Sequence, residues 1–104
     1  VGAIAATLAE IEATAARTGE VAPIRFAAIH TDGETLWAYR WASDGPPPSL
    51  YWRREGEGVV IASEPCDDAE RWTMVAADTV LTIRRDGTMR RQAFCPRLPD
   101  RAAA

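Results

Sequence analysis

The sequence has no lysine, a single histidine and only two cysteines among its 104 residues. One imidazole excludes a multi-histidine metal centre and leaves His30 as the sole histidine for any Cys–His pair. Its place just before a turn suits a solvent-facing or structural role instead. Cys66 and Cys95 are too few for a disulfide scaffold and lack the CxxC spacing of zinc and redox sites. They read as reduced thiols of a cytoplasmic protein. No apolar run approaches the ~18 residues that cross a bilayer, and no charged segment precedes an apolar one in the manner of a secretion signal. Residues 3–9 are apolar, but alanine dominates them and Glu10 and Glu12 close the run. A phosphate loop is missing, since Gly56 and Gly58 sit in a turn with no helix after them. The acidic group Glu64, Asp67, Asp68 and Glu70 lacks the DxDxDG spacing of a calcium loop. The sequence therefore calls for no metal and no cofactor.

Large aliphatic side chains are scarce too. Leu, Ile, Val and Phe together number 19, against 20 alanines. That is close to the ~20% level at which disorder becomes a concern, but disorder also needs high net charge, and the net charge is only −3. Four Trp, two Tyr and regular turn signals favour a folded chain with a thin core, as expected of a small domain or of part of a larger one. Twelve arginines supply all the positive charge outside His30. With the alanine excess, this reads as genome composition. The basic residues gather late, at Arg84, Arg85, Arg90, Arg91, Arg97 and Arg101, yet residues 51–104 balance nine acids against nine arginines. Aromatics are not interleaved with them, so solvated strand faces, not nucleic-acid binding, are expected.

Ile4, Leu8, Ile11 and Ala15 make one apolar stripe of a helix, which Gly19 stops and Pro23 keeps from resuming. Strands follow. Ile24 to His30 and Glu34 to Trp41 flank Asp32-Gly33, a strong hairpin signal. In the second strand Trp37, Tyr39 and Trp41 share one face, expected to be core, while Leu36, Ala38 and Arg40 share the other. The loop Ser43 to Ser49 contains three consecutive prolines. Leu50 to Arg53 and Val59 to Ser63 form the next hairpin around Glu55 to Gly58. The continuously apolar Val59-Val60-Ile61-Ala62 predicts a central strand covered on both faces. Pro65 ends it. Trp72 to Val75 and a last hairpin around Asp86-Gly87 complete an α+β chain of one helix and six or seven mostly antiparallel strands, with a frayed tail over 96–104.

Two segments read together carry a family resemblance. Arg25 to Ala38, with Thr31-Asp32-Gly33 between its strands, resembles the strand-TDG-strand signature of class II glutamine amidotransferase-like proteins. Val59 to Pro65, with Ser63-Glu64-Pro65 and Trp72 shortly after, resembles their VASEP…W segment. Ser49-Leu50-Tyr51 fits the link between them. The likeness spans about residues 22–94 and is nearest the branch containing the ergothioneine-pathway amidohydrolase.

The resemblance implies an N-terminal nucleophile hydrolase, with two stacked antiparallel sheets between helical layers in a four-layer αββα fold. Residues 1–95 would form the C-terminal portion of the amidotransferase domain. The family's catalyst is an N-terminal cysteine whose own α-amine, with a pKa near ~8, serves as general base. An Asn-Gly pair supplies the oxyanion hole, and an Arg and an Asp hold glutamine or a γ-glutamyl substrate. Here residue 1 is Val, neither cysteine is terminal and there is no Asn, so no catalytic residue transfers. Thr31, Asp32, Gly33, Ser63, Glu64, Pro65 and Trp72 then read as fold determinants. The chain is expected to complete a hydrolase fold without being active alone, the small-molecule substrate being held by a missing N-terminal part. An alternative is a non-catalytic α+β module that pairs through an exposed sheet face. A third is a separately encoded subunit whose partner carries the cysteine.

Overall fold

A computed structural model describes residues 1–19 and 23–96. Most of the expected tail, residues 97–104, lies outside the described residues. Helix α1, Gly2–Thr18, ends at Gly19, whose φ of 81° lets its N–H turn back to the carbonyls of Ala15 and Ala16. Strands β1, Arg25–Thr31, and β2, Thr35–Ala42, form the first hairpin. The proline loop leads to β3, Tyr51–Glu55, and β4, Gly58–Ala62. A single 3₁₀ turn, Ala69–Arg71, precedes the short β5, Thr73–Met74. The chain closes on the hairpin of β6, Thr79–Arg84, and β7, Met89–Ala93.

Two antiparallel sheets result. One has the order β1-β2-β6-β7, the other β4-β3-β5. Period-two alternation on β2 divides the core into two layers. On one side Tyr39 and Trp41 meet Val80, Phe94 and Leu8 of the helix, with Phe26 and Trp37 at the margin. Tyr39 is fully buried, and the Phe94 ring meets it edge-on at 5.0 Å and 65°. On the other side Ala38, Leu81 and Ile83 pack against Trp52, Val59 and Ile61 of the second sheet and against Leu50 and Val75, which flank its strands. The layers therefore run helix, sheet, sheet: three consecutive layers of the expected αββα order.

Two expectations need correction. The stripe Ile4, Leu8, Ile11, Ala15 is not the docking face as drawn. The helix buries Leu8 and Ala9, supported by Ile4 and Ala5, and leaves Ile11 49% exposed. The small side chain at Ala5 lets the helix bring Leu8 against the broad rings of β2, and that rotation turns Ile11 outward. The second correction concerns β4. Its apolar run is not central: among the described residues it pairs only with β3 and stands at the edge of its sheet, half-buried.

Arg40 fastens the sheets together. Its guanidinium, 9% exposed, lies between them and donates to three backbone carbonyls: Nε to Pro48 at 2.9 Å, Nη1 to Val75 at 2.9 Å and Nη2 to Pro47 at 3.4 Å. Pro47 and Pro48 belong to the crossing from β2 to β3, and Val75 to the return from β5 to β6. One buried cation thus satisfies carbonyls on both crossings, which the prolines, having no N–H, cannot do locally.

Candidate functional site

The Thr31-Asp32-Gly33 turn is held by its own side chains. Asp32 Oδ1 accepts the N–H groups of Glu34 and Thr35 at 2.9 and 2.8 Å, and Thr31 Oγ1 accepts from Gly33 N at 3.1 Å while donating to the Thr35 carbonyl at 2.9 Å. Gly33 has φ 93°, a conformation that L side chains rarely adopt. Those two N–H donors hold the exposed Asp32 carboxyl below the usual carboxylate range. Asp32 Oδ1 and Thr31 Oγ1 are thus engaged in closing the hairpin. Beside this turn the mouth between the sheets forms a shallow cleft of ≈ 210 Å³ with Leu36 and Val59 lining it and Gly58, Arg84 and Arg85 at its rim. Arg85 Nη1 pairs with Glu34 Oε1 at 3.0 Å, an exposed contact of little energetic weight.

The second group lies at the other end of β4. Trp72 is buried, and its Nε1 donates to Asp67 Oδ1 at 2.7 Å. Arg53 Nη1 donates to Asp67 Oδ2 at 2.8 Å, and its guanidinium carbon stands 5.0 Å from the centre of the Trp72 ring. The Trp72 bond chiefly, then the nearby arginines, lower the Asp67 pKa. Asp67 is therefore tied through both carboxylate oxygens to the side chains of Trp72 and Arg53. Glu64 Oε1 accepts from Ser49 Oγ at 3.1 Å, joining the ends of the β3–β4 hairpin, and Pro65 is half-buried beside it. Ser63 is exposed.

The motif residues thus form two separate clusters at opposite ends of β4, since Gly33 faces Gly58 across the cleft while Ser63 to Pro65 follow the far end. No pair of them forms a nucleophile–base contact. Cys66 and Cys95 are exposed free thiols, and His30 is exposed and stacks on Trp37 at 5.0 Å and 18°. Among the described residues no group of three His, Cys, Asp or Glu is arranged to hold a metal ion. No helix among them is long and apolar enough to cross a membrane. Sequence reasoning missed Arg40 and Arg53 as organising residues. The signal for Arg40 was its place on the face of Leu36 and Ala38; Arg53 gave none, because its partner Asp67 lies in an irregular loop.

An α+β protein of two stacked antiparallel sheets under a helix is the class these observations define. A solved structure described as that of a glutamine aminotransferase class-II domain protein from Silicibacter pomeroyi matches it with a TM-score of 0.81 and 34% sequence identity over 91% of this chain. This chain spans 44% of the length of that one. No family model and no curated protein matches the sequence. The fold is therefore class II glutamine amidotransferase-like, in agreement with the motifs.

Proposed function

We propose that residues 1–95 are the C-terminal portion of a glutamine amidotransferase-like or γ-glutamyl amide hydrolase domain, which completes the sheets and leaves the nucleophile to polypeptide outside these 104 residues. The observation that carries this reading is the 34% identity at TM-score 0.81 over nearly the whole chain, which is 44% of the matched protein's length. The chemistry agrees. A cysteine becomes an N-terminal nucleophile only where its own α-amine reaches its thiol as general base, and Cys66 and Cys95 are both internal. The motif side chains support the role of fold determinants, because Thr31, Asp32, Glu64 and Trp72 are engaged with their own scaffold. Glutamine or a γ-glutamyl compound is the substrate class of the complete domain, and two unpaired thiols fit a cytoplasmic setting. The experiment is a glutaminase and γ-glutamyl hydrolase assay. The chain alone is expected to be silent, and chain extended by its upstream coding region active. Turnover by the 104 residues alone contradicts the reading.

A pairing role has its own support: Ile11, Ile29 and Met74 are each close to half exposed, on the helix and on both sheets. Sedimentation at low concentration tests it, a stable monomer that binds no hydrophobic dye counting against it.

A further inference from the structure

The most apolar strand of the chain stands where a strand is hardest to leave uncovered. A free sheet edge presents unpaired N–H and C=O groups, and edges are normally guarded by charge, proline or brevity. Among the described residues, three of the four edges are guarded in that way. Strand β1 carries Arg25 and His30, β7 carries Arg90 and Arg91, and β5 is two residues long. Strand β4, Gly-Val-Val-Ile-Ala, has no charge and no proline. Its hairpin closes on the pair Glu55 and Gly58 around Gly56-Glu57. The antiparallel alternation that starts from this closing pair aims the N–H and C=O of Val59 and Ile61 at the open edge. The side chains of those two residues join the layer between the sheets, so an added strand would extend both the ladder and the apolar layer.

Charge narrows the occupant. Exposed Glu55 and Glu57 stand at one end of β4 and exposed Glu64 at the other. Arg53 is already held by Asp67 and Glu55, and Arg54, paired opposite Val59, donates to the Gly87 carbonyl. A second copy paired antiparallel about Val60 would bring the Glu57 end of one β4 against the Glu64 end of the other, a like-charge juxtaposition that opposes self-pairing. We infer that the free edge of β4 is a strand-acceptor site for an extended segment of about five residues, apolar toward the inter-sheet layer and bracketed by basic residues. This rests on the reading above that further polypeptide packs on the chain, and it names where one strand of that polypeptide attaches.

The test uses the 104-residue chain and two capped peptides, Arg-Val-Thr-Val-Thr-Val-Arg and Glu-Val-Thr-Val-Thr-Val-Glu. Amide hydrogen exchange at Val59 and Ile61 is read by NMR, with sedimentation velocity alongside. The expected result is a monomer whose Val59 and Ile61 amides exchange at least tenfold more slowly with the basic-ended peptide and unchanged with the acidic one. The doubly substituted Glu57→Lys, Glu64→Lys chain, altered only at exposed positions, should reverse that ranking. No slowing at millimolar peptide, equal slowing by both, or a dimer already protected at these amides would each overturn the assignment. If the peptide protects but upstream coding sequence restores no hydrolase activity, the amidotransferase reading fails and the acceptor edge stands. Restored activity without peptide protection overturns the acceptor edge and leaves the amidotransferase reading standing.

Discussion

Asp67, Trp72 and Arg53 show how far one side chain can be read in isolation. The indole N–H and the guanidinium both stabilise the ionised form of Asp67, so its pKa in the folded chain is depressed. A depressed folded pKa contributes stability that is present in full above the unfolded carboxyl value of ~3.9 and is lost as pH falls through the folded value. Stability should therefore decline on acidification below that value, with Asp32 and Asp86, depressed by the N–H groups and side chain of their own turns, contributing in the same direction. Trp72→Phe removes the largest cause: the Asp67 titration followed by NMR should move up toward the ordinary range and the acid sensitivity should shrink. Arg40→Met is a different case. It strips the partners from the Pro47, Pro48 and Val75 carbonyls and should cost about 2–4 kcal/mol in urea unfolding, with Arg40→Lys recovering only part, since one ammonium cannot reproduce the planar fork. The alternation of β2 put Arg40 on the face of Leu36 and Ala38, but its carbonyl partners come from loops, and loop backbone carries no periodic signal.

At the level of elements, the hairpins were legible because their turn chemistry is local. Asp32-Gly33 and Asp86-Gly87 both place a glycine at positive φ, and in both the preceding aspartate side chain accepts backbone N–H groups of the turn. The helix was legible in extent and stop, yet its docking face was not. Which side of an alanine-rich helix is buried depends on the shape of the aromatic surface it meets, a tertiary property. Leu8→Ala should accordingly cost about 2–3 kcal/mol, because Leu8 is buried against Tyr39 and Trp41, while Ile11→Ala should stay within ~0.5 kcal/mol. Thermal or urea unfolding of the two variants checks the rotation: equal losses would restore the stripe as drawn from spacing. Strand β4 makes the complementary point. Its composition is that of a central strand, yet among the described residues it stands at the edge of its sheet, a position that composition alone does not state.

For the whole molecule, the thin aliphatic supply falls into place. Thirteen of the nineteen Leu, Ile, Val and Phe side chains serve two apolar layers, one under the helix and one between the sheets, and the second sheet has no helix on its outer face among the described residues. The chain spans 44% of the matched class II domain protein. The candidate site was legible only as motifs. Their division between two ends of β4 could not be seen in the sequence, since order along the chain does not state distance across a sandwich. The central claim is that this chain completes an amidotransferase-like hydrolase whose nucleophile it does not contain. Ammonia and glutamate release from glutamine tests it most directly, measured for the 104 residues alone and for the chain extended by its upstream reading frame. The account predicts no turnover in the first case and turnover abolished by an N-terminal Cys→Ala change in the second. Turnover by the 104 residues alone, removed by Cys66→Ala or Cys95→Ala, would contradict it.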